Sequence, residues 1–392
     1  MTKRCLVEPD VNFVKQIIGL GGDTLKKCFQ CATCSVACPI SPENKPFPRK
    51  EMMAASWGLK DRLVKNGDIW LCHQCGDCST LCPRGARPGD VLSAVRSYAI
   101  SEYALSKRIG AAVNDPKKLH ILFGIPAALF AILAFITVFC GGTMSSIFHA
   151  IGLEWSHGGH DGVIAHADFI STWFVDLVFV PLTGWVLINF VLGLKRFIVD
   201  VHENALMEGK TDKEDLNIKK MIQALIKVIP AILKHDKFSQ CTENKERETS
   251  HMMVLYAFIG LFVVTNIFFV VLYLFHIPGP YSQLNPVKWL ANISGIFLVI
   301  GSGLMIKSRL TKTDQTTVYK AWYLLGLVLG LGVTGLLSEM TRMAGLAGVT
   351  YGVYLIHLVL VFNLFAFLPY SKLAHVVYRT VAMTYAEYGN RK

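Results

Sequence analysis

Six long apolar stretches constrain this 392-residue sequence more than any other feature: 119–140, 168–197, 252–276, 288–307, 320–342 and 349–374. Each is long enough to cross the hydrocarbon core of a bilayer, which takes about 20 residues of helix. In lipid every backbone N–H and C=O must be paired within the segment, so such runs fold as helices. Soluble cores do not hold six of them in succession. Composition agrees: 52% of residues are hydrophobic, 17% are charged and mean hydropathy is +0.41, against roughly 25% charged in soluble domains. An ordinary soluble enzyme and a disordered chain are both excluded. Trp173, Trp289, Trp322, Tyr351 and Tyr370 stand at span edges, as an interfacial aromatic belt requires.

Charge sets the expected orientation. Of the 39 Lys and Arg, 37 lie in 1–118, 195–250, 307–320 and 372–392. The connections 141–167, 277–287 and 343–348 hold none, and Lys288 and Arg342 sit at helix ends facing that side. The positive-inside rule then places both termini in the cytoplasm and the chain in the cytoplasmic membrane. It also accounts for the net charge of +11 without a nucleic-acid partner. Residues 1–118 contain no spanning run and no signal-peptide core, so they read as a cytoplasmic domain, followed by a membrane domain over 119–392. Between the second and third spans, the apolar residues of 216–234 recur at i, i+3 and i+4 among Lys219, Lys220, Lys227 and Lys234. This predicts an amphipathic helix, lying on membrane lipid or packed on protein; periodicity leaves both open.

Eight of eleven cysteines form two motifs: Cys28-x2-Cys31-x2-Cys34-x3-Cys38-Pro39, repeated as Cys72-x2-Cys75-x2-Cys78-x3-Cys82-Pro83. Zinc sites usually use separated pairs of ligands, whereas a triple followed by Cys-Pro, present twice, is the pattern of a two-cluster ferredoxin. In that pattern the fourth ligand crosses over. Cluster 1 is therefore assigned to Cys28, Cys31, Cys34 and Cys82, and cluster 2 to Cys72, Cys75, Cys78 and Cys38, each a [4Fe-4S] cubane. Cys5, Cys140 and Cys241 are left over. Helical patterns fill the space between the motifs, at 49–59 and 63–70. With the Ile69-Trp70-Leu71-Cys72 lead-in, residues 24–105 resemble the α-helical ferredoxin domain of the heterodisulfide reductase HdrC family and of succinate dehydrogenase iron–sulfur subunits. The chain has no Cys-Cys pair, and so lacks the motif of the disulfide-cleaving heterodisulfide reductase subunit. Chemistry other than at quinone is not expected on this polypeptide.

A histidine inside a span is a functional hypothesis by default. His357 and His375 are 18 residues apart, five turns if the last span is one continuous helix, and so would share a face about 27 Å apart. That suits axial ligation of two b haems, one near each membrane surface. Residues 354–360 and 368–376 resemble the last helix of the respiratory nitrate reductase gamma family, which ligates both its haems from there; the likeness extends over 250–378. It implies His251, at the start of the third span, as the second ligand near His375. It departs at Leu261, where the family has a ligand. His166 is the favoured second ligand for the outer haem, with His149, His157, His160 and His276 as others, and His120 and His202 compete with His251. Lys288, Asp176 and Glu339 are quinone-site candidates, Lys288 lying about where that family has a quinol-binding lysine; snorkelling or capping is the other reading of each.

Together these parts are similar to the membrane subunits of quinone-interacting oxidoreductase (Qmo) complexes of sulfate reducers, a fusion of the HdrC and HdrE types of heterodisulfide reductase polypeptide. The resemblance implies an all-α electron-transfer subunit, a ferredoxin domain followed by a six-helix cytochrome b bundle. Its cofactors would be two [4Fe-4S] clusters, two haems b and menaquinone. Its partners would be flavin-containing heterodisulfide reductase A-like subunits, with adenylylsulfate reductase as acceptor and the menaquinone pool as donor. A membrane unit of a heterodisulfide-reductase or sulfite-reduction complex is the alternative, and a redox-sensing anchor or transporter is the alternative from another class.

Overall fold

A computed structural model describes residues 8–152, 163–235, 240–243, 246–311 and 318–391. The chain is all-α. The cysteine-bearing region holds eight helices: α1 (Val11–Gly19), α2 (Thr33–Val36), α3 (Arg49–Ser56), α4 (Lys60–Val64), α5 (Asp68–Leu71), α6 (Asp77–Thr80), α7 (Pro88–Tyr103) and α8 (Lys107–Asn114). Long helices follow: α9 (Leu119–Ala150), the short α10 (His166–Phe169), α11 (Thr172–Met207), α12 (Ile218–Lys234), α13 (Glu246–Tyr273), α14 (Pro286–Thr311), α15 (Tyr319–Met343), α16 (Ala347–Phe367) and α17 (Ala374–Tyr388).

Local chemistry explains several boundaries. The Asp10 carboxylate accepts from the Phe13 amide at 2.9 Å and caps α1, whose Phe13 and Ile17 are fully buried. The helices between the motifs are shorter than their periodicity predicts. Gly58, in the left-handed region at φ +69°, ends α3, and a Cβ there would meet the Asp10 backbone at 2.8 Å. Pro126 and Pro181 sit inside α9 and α11 without ending them.

Among the described residues six helical stretches are long and apolar enough to cross a membrane: Pro116–Ala150, Thr172–Met207, Arg247–Tyr273, Pro286–Thr311, Tyr319–Met343 and Ala347–Tyr388. They neighbour one another in the order α13, α14, α15, α16, α9, with α11 against α16. At the α13–α14 crossing Gly260 lies so near Ser294 that a Cβ would collide with its Oγ, a backbone approach that small residues permit.

The last span corrects the single-helix expectation. Pro369 lacks the N–H that a continuing helix needs. The chain instead makes a 3-10 turn over Leu368–Tyr370 and restarts as α17. Tyr370 is fully buried at this break, and its hydroxyl accepts from the Asn189 side chain at 2.8 Å. His357 and His375 therefore stand on different helices, and the five-turn register between them does not exist.

Beyond the break, α17 packs on α5, α7, α11 and α12. The packing boundary consequently differs from the sequence boundary near residue 118. Trp70, fully buried, stacks on Tyr378 of α17 at 5.2 Å and meets Phe197 of α11 edge-on at 5.7 Å. Such aromatic contacts add about 0.5–1.5 kcal/mol each beyond area burial. One buried cluster thus runs from Phe13 through Trp70 and Tyr103 to Phe197, Met221 and Tyr385. Beneath it, buried Asp68 pairs with Lys210 at 2.8 Å and with Arg391 at 3.1 Å. Burial, then Asp68, raises the neighbouring Glu51 carboxyl to about 7. The two faces of the amphipathic helix α12 are engaged differently: Met221, Ala224 and Val228 are buried, while Ile218, Ile222, Ile226, Ile229 and Leu233 form an exposed apolar stripe.

Candidate functional site

The two cysteine motifs share one backbone shape. Gln30 and Ala32 in the first take positive φ (62° and 68°), and Gln74 and Gly76 in the second do likewise (55° and 107°). Alternating left- and right-handed residues turn successive N–H groups into one concavity, the nest found at many iron–sulfur sites. The Gln74 amide donates to Cys72 Sγ at 3.3 Å, and the Gln30 side chain donates to Cys28 Sγ at 3.4 Å.

The thiols gather in two sets that mix the motifs. Cys34 is pushed up to about 11 by burial and then by Cys28, Cys31 and Cys82. Cys38 is pushed up to about 12 by burial, with Cys72 and Cys75 adding to it. Cys78 is raised by burial, then by Cys72, Cys75 and Cys38. Crowded thiols that oppose one another's ionisation are the donor set that cationic iron relieves, so the residues present fit two cubanes. Residues 24–86 match the 4Fe-4S dicluster domain family. That family implies two [4Fe-4S] clusters.

Similarity to individual proteins falls in the same region. A 90-residue stretch is 36% identical to the HdrC-type polypeptide of the H(2):CoB-CoM heterodisulfide,ferredoxin reductase of Methanothermobacter marburgensis, covering 23% of this chain and 49% of that protein. The HdrC-like protein of Archaeoglobus profundus is 33% identical over 87 residues, 22% of this chain and 46% of that protein. The iron-sulfur HdrC polypeptide of the CoB--CoM heterodisulfide reductase of Methanopyrus kandleri is 31% identical over 84 residues, 21% of this chain and 44% of that protein. The chain spans about half the length of these curated relatives. The chain is thus an iron–sulfur electron-transfer protein related to HdrC, extended by six candidate membrane helices.

The second motif is built into the rest of the molecule. Arg96 donates to the carbonyls of Ile69 and Cys72 at 2.8 and 3.0 Å, Arg379 to that of Leu71 at 3.5 Å, and Arg247 to that of Gln74 at 3.2 Å. Arg247 opens α13 and Arg379 lies on α17, so this motif abuts the ends of two helices that carry histidines. There His251 and His375 lie within electrostatic reach of each other. His375 Nδ1 is engaged by the Lys372 carbonyl, which orients the ring and leaves Nε2 for a ligand. His251 Nδ1 meets His235 Nε2 at 2.9 Å, a partner that sequence reasoning does not reveal. His202 is not free to compete with His251: its ring nitrogens meet Tyr385 Oη and the Glu214 carbonyl, both at 2.9 Å. His120 is exposed.

At the other end of the bundle, His357 Nδ1 meets Thr334 Oγ1 at 2.8 Å, and the bare Cα of Gly335 faces its ring. His166 lies near it, with Nε2 2.8 Å from Ser338 Oγ and its ring 4.5 Å from that of Tyr354. Burial, then Arg342, holds His166 down to about 4, which keeps its imidazole neutral at pH 7. His149 and His276 are exposed, and His157 and His160 lie outside the described residues. Lys288 and Glu339 prove to be partners, at 2.6 Å, with Arg342 on the same carboxylate at 2.8 Å and Gln283 donating to it as well. Asp176 accepts from the Tyr273 hydroxyl. The quinone-site candidates and both far-side histidines therefore cluster at one end.

Proposed function

We propose that this chain oxidises menaquinol at the far end of its membrane bundle and delivers electrons through two b haems and two [4Fe-4S] clusters to soluble partner subunits. The observation that supports it most is the grouping of histidines at both ends, His166 near His357 and His251 near His375, the second group on helices whose Arg247 and Arg379 hold the Gln74 and Leu71 carbonyls. Bound haem and clusters supply one-electron transfer, so a two-electron quinol discharges in two passages. The near pair also has a fitting environment for a haem's two carboxylates. Lys372 lies within reach of Arg309, Arg96, Lys320 and Arg247, and Lys320 Nζ is buried with no hydrogen-bond partner among the described residues. A buried cation without a counter-charge is costly, and an anionic group offsets that cost.

The chain's own residues handle protons. Glu339, held by Lys288, Arg342 and Gln283 beside His166, and Asp176, held by Tyr273, are the acceptors for quinol hydroxyl protons at the far end. Basic residues concentrate on the cysteine side, which supports a cytoplasmic ferredoxin region and proton release outside. The partners are flavin-containing heterodisulfide reductase A-like subunits, with adenylylsulfate reductase as terminal acceptor. The names of the relatives favour a second reading, delivery to the HdrA and HdrB polypeptides of a heterodisulfide reductase; co-purifying chains separate the two.

The test is a pair of variants read by visible spectroscopy. His357→Ala is expected to lose one of two haems and all reduction of the remaining centres by a menaquinol analogue. His375→Ala is expected to lose the other haem while the far one still reduces, with the clusters left oxidised. Purified protein without haem b, or clusters that reduce in the His375→Ala protein beside an unreduced far haem, would sink the reading.

A further inference from the structure

Cys241 belongs to neither cysteine motif, yet it lies against the second. It is buried (1% exposed), in the segment between α12 and α13. Its Sγ, the Cys75 Sγ and a carboxylate oxygen of Asp77 all lie within 4.8 Å of one another. The contact is fastened from both sides. The Thr242 and Glu243 amides donate to the Asp77 carboxylate at 3.2 and 2.8 Å, and Arg247 holds the Gln74 carbonyl. His251 follows one helical turn after Arg247. A single short stretch of chain therefore places a thiol and a guanidinium along one edge of the second motif.

We infer that Cys241 is a positioning residue for the second cluster: its thiol donates a hydrogen bond to the Cys75 sulfur and raises that cluster's reduction potential without binding iron. The coordination count requires this division of roles. A cubane takes one thiolate per iron, and Cys72, Cys75, Cys78 and Cys38 already supply four. The fifth sulfur finds no vacant iron and keeps its proton. The Asp77 carboxylate accepts a backbone amide on each oxygen, and the Cys75 sulfur stands within 4.8 Å of the thiol as the acceptor on the cluster. Reduction adds an electron to the cluster, and a donor on a ligand sulfur stabilises that added charge. No corresponding fifth cysteine reaches the first motif among the described residues, where Cys31 is exposed and pairs with the Thr33 hydroxyl at 3.4 Å. The second cluster, next to the histidine pair, is thereby the one biased to accept an electron from the membrane side. The inference rests on the cluster assignment alone and is independent of haem or quinone.

The experiment is a potentiometric titration of the full-length membrane protein, followed by electron paramagnetic resonance, on the parent chain, Cys241→Ala and Cys241→Ser. Iron and sulfide analysis accompanies each, so a missing cluster is distinguished from a missing hydrogen bond. Cys241→Ala is expected to keep both [4Fe-4S] clusters and to lower the potential of one of them. Cys241→Ser, which retains a donor, is expected to recover part of the shift. A Cys82→Ser background, which damages the first cluster, should leave the shifted signal in place. In the parent chain, pulsed resonance in deuterated buffer should reveal an exchangeable proton coupled to the second cluster in addition to that of the Gln74 amide, and Cys241→Ala should lose it. Unchanged potentials in Cys241→Ala, or absence of that proton, overturn the inference. Loss of one cluster, or its conversion to a three-iron form, overturns it too and makes Cys241 a ligand.

Discussion

The two cysteine motifs have the same spacing and the same backbone twist, yet opposite surroundings. The second follows Trp70, receives Arg96 and Arg247 on its own carbonyls and Arg379 on that of Leu71 just before it, and is met by the segment bearing Cys241. The first is open: Cys31 is exposed, and beside it in the chain Phe29 and Val36 are 66% and 88% exposed. Arg84 lies over the Phe29 ring at 4.1 Å. Identical local chemistry has been given one inward and one outward role. On the proposed route, an electron entering from the membrane helices meets the second cluster first, and one leaving for a partner departs from the first.

The largest expected effect comes from undermining the inward motif. Trp70→Ala removes the side chain that joins α5 to α11 and α17, and a buried aromatic-to-alanine change costs about 3–5 kcal/mol. The thermal stability of the purified protein should fall accordingly, and the second cluster's signal should broaden while the first keeps its shape. If both clusters respond alike, the motifs are not differently supported.

A reciprocal exchange tests the shared twist. Ala32 holds, at a cost, a left-handed backbone that Gly76 adopts freely, so Gly76→Ala should destabilise by about 1–2 kcal/mol and Ala32→Gly should recover about as much. Denaturant unfolding measures both. Equal and opposite shifts bear out a common geometry; a neutral Gly76→Ala would show that the second motif is held by its surroundings instead.

The smallest effect on stability belongs to the outward motif. Val36→Asp changes a residue that is 88% exposed, and stability should move by no more than about 0.5 kcal/mol. Its consequence should appear in association: co-purifying soluble subunits are expected to be lost at moderate salt. Undiminished recovery of those subunits would place the docking surface elsewhere.

How legible these features are in the sequence follows from how local they are. The cysteine spacings and the six apolar runs are short-range patterns, and a motif or helix reads directly from them. His251, His375, His166 and His357 are identifiable individually because polar groups in apolar runs stand out. Their grouping is less so. The expected five-turn register between His357 and His375 fails on Pro369, a visible residue whose effect as a stop depends on the turn that follows it. Lys288 and Glu339 read as separate candidates because they lie on different helices, and only packing brings them within 2.6 Å. Cys241 and His235 are invisible as site residues for the same reason. Their partners lie on other elements, although a cysteine, an arginine and two histidines within 235–251 are a signal in themselves.

The break at Pro369 has a mechanical consequence. Membrane helices tilt and shift as bilayer thickness changes. Because α17 restarts after the break and is packed into the body that holds Trp70, His375 moves with the cysteines rather than with α16. Arg247 fastens the start of α13, and with it His251, to that same body. The break thus ties the histidine group to the body that holds the second motif rather than to α16. Electron tunnelling falls off steeply with distance, so on the proposed route this step would depend little on the lipid composition of the membrane.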